Sequence, residues 1–129
     1  MRGFREDVWA ELARLDMLVH ASVTPEPFGQ VVVEGMAAGL PVITTTEGGP
    51  AEFVEHERTA LQVPPKDKDA LAAALRRLAA DPALRSRLGA AARSKALEAR
   101  GDHVSEDVME VYRRALRHGR RSQSAGPAP

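Results

Sequence analysis

The chain of 129 residues carries 18 Lys plus Arg against 18 Asp plus Glu, so its formal net charge is zero and no whole-molecule field steers it toward nucleic acid or a membrane. It contains no cysteine, which excludes a disulfide framework, a thiol nucleophile and a thiolate zinc site. One Trp, one Tyr and three Phe are too few to build a stacking platform for single-stranded nucleic acid.

The length suits one domain with a modest core of its own. No apolar run approaches the ~20 residues a membrane helix needs, and MRGFREDVW lacks the apolar stretch of a secretory signal. A cytoplasmic protein is the expectation.

In chain order, Asp7 can cap a short helix reaching about Leu15, with Val8, Leu12 and Leu15 on one side. The continuous apolar run over residues 17–21 predicts a buried strand. Next comes TPEPFGQVVVEGMAAG, residues 24–39, closed by Gly39 and Pro41. Residues 42–45 predict a second strand, 46–49 a loop, and 50–54 one or two helical turns that open on proline. Residues 61–63 predict a third strand, ended by Pro64 and Pro65. Leu71, Leu75 and Leu78, spaced four and three apart on an Ala-rich background, mark an amphipathic helix over 69–78. Asp81 and Pro82 start another helix to about Ala99. A last helix is expected over 104–116, with Val108, Val111, Tyr112 and Leu116 inward. Beyond His118, GRRSQSAGPAP has the composition of a disordered tail over 119–129.

Strands alternating with helices imply parallel crossovers, hence an α/β fold with a Rossmann-like open parallel sheet and C-terminal helices. Ligands of such sheets bind outside the carboxyl ends of the strands, which is where the TPEPFG turn falls.

Residues 31–33 are three valines, and β-propensity by itself would extend them. A ten-residue segment rich in Met and Ala, directly after a strand, argues for a helix over 29–38 instead, buried on most sides. If it begins near Phe28, its first N–H groups lack intrahelical partners and present the positive end of the dipole to the strand edge, an anion site. Glu34 then lies one turn beyond Gln30, about 6 Å along the axis, a separation that suits a phosphate and the sugar attached to it. A carboxylate that accepts from two ribose hydroxyls is a satisfied acid in apolar surroundings. Glu26, just outside the helix, must face donors or developing positive charge rather than phosphate.

The stretch from VHASVTPEPFG through EGMAAGLPVITTTEGGPAEFVEHERTALQVPP to the helix DALAAALRRL resembles the second half of the nucleotide-sugar-binding domain of glycosyltransferase family 4, retaining enzymes of the GT-B fold. GFREDV and DHVSEDVMEVYRRAL resemble its flanking pieces, so the likeness runs over about residues 3–116. Its most specific feature is Glu26 and Glu34, eight apart within EPFG and EGMAAGLPV. The resemblance implies a partial donor-binding domain over 1–118. Glu34 would hold the ribose hydroxyls of a nucleotide diphosphate sugar, and Glu26, as the catalytic carboxylate, would lie near the anomeric carbon. Backbone N–H groups of Phe28, Gly29, Gln30 and Val31 would receive sugar hydroxyls and the diphosphate. Neither a metal nor another cofactor is implied.

The Arg and Lys with which the family clamps the diphosphate, and the acceptor-binding domain, have no counterpart here. A chain inactive by itself, self-associating or completed by a missing N-terminal half, is therefore expected, with about three strands and an unpaired edge. His20 reads as a core or edge histidine ahead of a catalytic one. Gly48 and Gly49 suit a tight loop as well as a ligand contact. His56, His103 and His118 lack metal-ligand spacing. Arg113, Arg114, Arg117, Arg120 and Arg121 read first as a solvated helix end, with weak contact to an anionic membrane surface as the minority reading. Three functions are carried forward: the donor half of a hexosyltransferase, a standalone nucleotide-binding or regulatory module, and a two-carboxylate glycosidase, the last disfavoured because a glycoside offers a helix N-terminus no anion.

Overall fold

The structure, a computed structural model, describes residues 8–22 and 30–98. Its elements are α1 (Val8–Leu12), β1 (Leu18–His20), α2 (Gln30–Ala37), β2 (Val42–Thr45), α3 (Gly49–Phe53), β3 (Leu61–Val63), α4 (Lys68–Ala80) and α5 (Pro82–Glu98). The expected cap Asp7, the helix start near Phe28, the helix over 104–116 and the tail over 119–129 lie outside the described residues.

The three strands form one parallel sheet in the order β1-β2-β3, with Leu18 beside Val42 and Ile43 beside Leu61. This is the expected open α/β sheet. All four residues of central β2 are buried. The outer strand departs from expectation: β1 is three residues long, and Val19 is 39% exposed. An apolar run signals burial only where both flanks are occupied, and β1 has a described neighbour on one side alone. Likewise α1 stops at Leu12, and Leu15, expected inward, is 43% exposed. Tight bonds from Arg14 N–H to Glu11 O and from Leu15 N–H to Leu12 O end the helix and turn the chain toward β1.

The three valines are helical. Val32 and Met36, four apart, are completely buried against the sheet and α5, and tertiary burial overrides their neighbours' β-propensity. Gly35 lies on Leu18: a Cβ there would meet the Leu18 Cδ2 methyl closer than 3.0 Å, so glycine brings α2 down onto β1. Leu40 N–H donates to Gly35 O at 3.0 Å and Gly39 N–H to Met36 O at 2.9 Å, with Gly39 at φ +79°. That pair of bonds is a Schellman stop, which requires a residue at ease with positive φ.

Each face of the sheet has its own core. Val42 and Ala60 join Val32, Met36 and Leu40 under α2, while Ile43, Leu61 and Val63 join Ala74 and Leu78 of α4. α5 serves both, with Leu84 and Leu88 in the α4 core and Ala92 and Ala96 in the α2 core. It crosses where Gly89 meets the Gly39–Leu40 backbone, at the amino end of β2. The helix starts follow the sequence. Asp67 Oδ1 accepts from Ala70 N–H at 2.9 Å and Asp81 Oδ1 from Leu84 N–H at 3.0 Å. Arg85 Nη1 donates to Leu78 O at 2.6 Å and Ala79 O at 3.1 Å, covering the last carbonyls of α4.

Candidate functional site

In a parallel sheet the carboxyl ends of all strands share one edge, here His20, Thr45 and Val63. The helix after β1 must return across the sheet, so α2 begins at that edge with Gln30. Its first-turn N–H groups, from Gln30 onward, are those a helix leaves without intrahelical acceptors, at the positive end of its dipole. Val31 is half-buried in that turn. Glu34 stands one turn deeper, roughly opposite the Val32–Met36 stripe at about 100° per residue, and is half-buried. Gln30, Val31 and Glu34 are thus brought together on one helix at the edge where ligands of open α/β sheets bind. Glu26, Phe28 and Gly29 lie outside the described residues.

The strands add a feature that the sequence reading passed over. Register places His20, Thr44 and Gln62 side by side across β1, β2 and β3. Val42 and Leu18 belong to the α2 core, so by alternation Thr44 and His20 point to the same face, and Gln62, between the α4-core residues Leu61 and Val63, does too. An apolar row, Leu18, Val42 and Ala60, therefore gives way to a polar row one step nearer the carboxyl edge. His20 and Gln62 are half-buried and Thr44 is completely buried. Thr44 Oγ1 has no hydrogen-bond partner among the described residues. The signal was available: Thr44 shares the phase of the inward Val42 in a strand whose every residue is buried.

Of the two glycines, Gly48 adopts φ +87°, which is loop geometry, and Gly49 opens α3. His56 Nδ1 accepts from Gln62 N–H at 2.9 Å, so this imidazole pins the turn before β3. His103, His118 and the basic cluster from Arg113 to Arg121 lie outside the described residues. Among the described residues no group of three or more His, Asp or Glu side chains could hold a metal ion, and no helix is long and apolar enough to cross a membrane.

The charged contacts gather at the opposite, amino end of β3. Lys95 Nζ lies 2.7 Å from Glu55 Oε1 and Arg58 Nη1 lies 3.0 Å from Glu55 Oε2. The hydrogen bond and charge of Lys95, then the charge of Arg58, hold the Glu55 carboxyl below its ordinary range. Arg77 grips both carboxylate oxygens of Glu57, with Nη2 to Oε2 at 2.7 Å. That hydrogen bond chiefly lowers the Glu57 pKa and raises that of Arg77. Arg87 Nη1 donates to Glu57 O at 3.1 Å, so a turn residue at φ +67° is fastened to both α4 and α5. These pairs brace the fold and lie away from the α2 edge.

Comparison with known proteins agrees with this architecture. The family model described as "Glycosyl transferases group 1" matches residues 1–95. The lipopolysaccharide core biosynthesis glycosyltransferase LpsD of Rhizobium meliloti is 43% identical over 88 residues, covering 68% of this chain and 25% of that protein. The Anabaena protein HepE, solved in complex with UDP-glucose, superposes with a TM-score of 0.73 at 30% identity, over 89% of this chain and 30% of the other. The C-terminal domain of a glycosyl transferase group 1 protein, LpcC, from Francisella tularensis gives a TM-score of 0.69 at 27% identity, over 78% of this chain and 53% of that one. The chain thus spans about a quarter of the length of the curated relatives it matches. With the family model covering most of the sequence and the parallel sheet aligned on solved relatives, this chain belongs to the group 1 glycosyl transferases and carries part of the C-terminal domain of their GT-B fold.

Proposed function

We propose that this chain is part of the donor-binding half of a family 4 glycosyltransferase, which moves a hexose from a nucleotide diphosphate sugar with retention at the anomeric carbon. The observation that carries the reading is α2 itself: an amino end delivered to the carboxyl edge of a parallel sheet, with the half-buried Glu34 one turn behind it. Support comes also from HepE, whose solved complexes contain UDP and UDP-glucose.

In this reading the N–H groups of Phe28, Gly29, Gln30 and Val31 receive the diphosphate and sugar hydroxyls. Glu34 accepts from the ribose hydroxyls. As the bond from C1 of the sugar to the diphosphate breaks and the acceptor oxygen bonds to C1, passing its proton to the departing diphosphate oxygen, negative charge grows on the diphosphate and positive charge on the sugar. The helix N–H groups stabilise the former and the carboxylate of Glu26 the latter, both more strongly in the transition state than in the ground state. The helix terminus and basic side chains supplied by the rest of the protein do the work a metal would do. The reaction is cytoplasmic, and the chain is inactive and self-associating until the remaining half is supplied.

Calorimetric titration with UDP tests the reading. The wild-type chain binds, and Glu34→Ala weakens binding about tenfold or more, a loss of about 1.4 kcal/mol. Equal affinity in the two proteins would remove Glu34 from the site. Sugar transfer that appears on adding the missing half separates a transferase from a module that only binds nucleotide.

A further inference from the structure

We infer that Thr44 is a binding residue of the same site: its hydroxyl is held beneath the amino end of α2 to hydrogen-bond, directly or across one ordered water, to the diphosphate of a nucleotide ligand. The inference rests on the donor-site reading above and adds to it a residue on the central strand.

Buried polar side chains are overwhelmingly hydrogen-bonded, because an unmade bond leaves the cost of desolvation uncompensated. Thr44 is an exception, completely buried with Oγ1 lacking any partner among the described residues. Its neighbour shows that the strand can satisfy a threonine: Thr45, facing the opposite side, places Oγ1 3.5 Å from Glu47 O. Threonine and valine suit a strand equally by shape, and valine is the residue two positions earlier in the same phase, so what sets Thr44 apart is its unpartnered hydroxyl.

Position selects the ligand. Thr44 lies on the α2 face of the sheet, in the row nearest the carboxyl edge, between the half-buried His20 and Gln62. That is the end of the face toward which the first turn of α2 points its N–H groups. A hydroxyl under a positive helix end is suited to donating to an anion that the helix already holds, and a bridging water serves nearly as well as direct contact. The diphosphate is the one strongly accepting anionic group in the proposed ligand. Phosphate anchored from the helix and from the strand beneath would fix its depth, which in turn sets where the attached sugar lies.

The test uses the full chain with UDP as probe, comparing wild type, Thr44→Val and Thr44→Ser by calorimetry, and the same three proteins by thermal unfolding without nucleotide. Val keeps the shape and removes the hydroxyl; Ser keeps the hydroxyl and removes a methyl. The expected result is that T44V unfolds at the same or a higher temperature than wild type yet binds UDP about tenfold or more weakly, while T44S stays within about threefold of wild-type affinity. A merely structural threonine gives the reverse, with T44V binding as wild type does. T44V affinity within about twofold of wild type overturns the inference, as does a loss of affinity in both variants that tracks a loss of thermal stability. If wild type binds UDP and Glu34→Ala does not while T44V does, the donor-site reading stands and this inference falls. If wild type does not bind, both fall.

Discussion

Replacing Gly89 by alanine sets two effects of opposite sign against each other. On an isolated helix the change is favourable by about 1 kcal/mol, because alanine loses less backbone freedom. In this fold a Cβ at position 89 would fall closer than 3.0 Å to Gly39 O, with Gly39 C at 3.2 Å and Leu40 C at 3.6 Å. The obstacle is backbone, held by the stop of α2 and by β2, so it cannot swing aside as a side chain would. α5 would have to lift where it joins the two cores, carrying completely buried Leu88 and Ala92 with it. Overpacking of this kind costs about 3 kcal/mol at the upper end of its range, which leaves a net loss of about 2 kcal/mol after the gain in propensity. For a chain of this size that lowers the melting temperature by about 7 °C. Urea and thermal denaturation of Gly89→Ala measure it, with Ala90→Gly as the control: exposed on the same helix, it should cost only about 1 kcal/mol. A Gly89→Ala protein more stable than wild type would show that propensity governs the position, and the close crossing of α5 over the Gly39–Leu40 backbone would be refuted.

The grip of Arg77 on Glu57 predicts an acid-sensitive contribution. A carboxyl whose folded pKa lies below its ordinary value of 4.5 stabilises the fold above that pH, and the contribution fades as pH falls through the folded pKa. Wild type should therefore exceed Glu57→Gln in urea midpoint at neutral pH and converge on it in acid; a gap of the same size at both ends would contradict the pairing. Lys66 occupies φ +62°, which an L side chain adopts at a cost, so Lys66→Gly should raise stability by about 1 kcal/mol in denaturant titrations. Asp67→Ala removes the acceptor for Ala70 N–H and should cost about 1 kcal/mol by the same measurement, while Asp67→Asn should recover most of it.

Local chemistry wrote much of this protein into its sequence. Pro64 and Pro65 after β3, Asp81 before Pro82, and Leu71, Leu75 and Leu78 at helical spacing each act within a few residues, so strands 42–45 and 61–63 and helices α4 and α5 could be located from the chain alone. Alternation of strand and helix likewise determined a parallel sheet, and with it the edge to which the first turn of α2 is delivered. The tertiary structure decided what depends on neighbours distant in sequence. Val19 and Leu15 look as apolar as Ile43, but one flank of β1 lacks a described strand and α1 stops at Leu12, before Leu15, so both are partly exposed. The pairing of Glu57 with Arg77 spans twenty positions and follows from the turn before β3 meeting α4. The row of His20, Thr44 and Gln62 exists only once three strands lie in register, because a side chain's phase in its own strand is local whereas the company it keeps across the sheet is not.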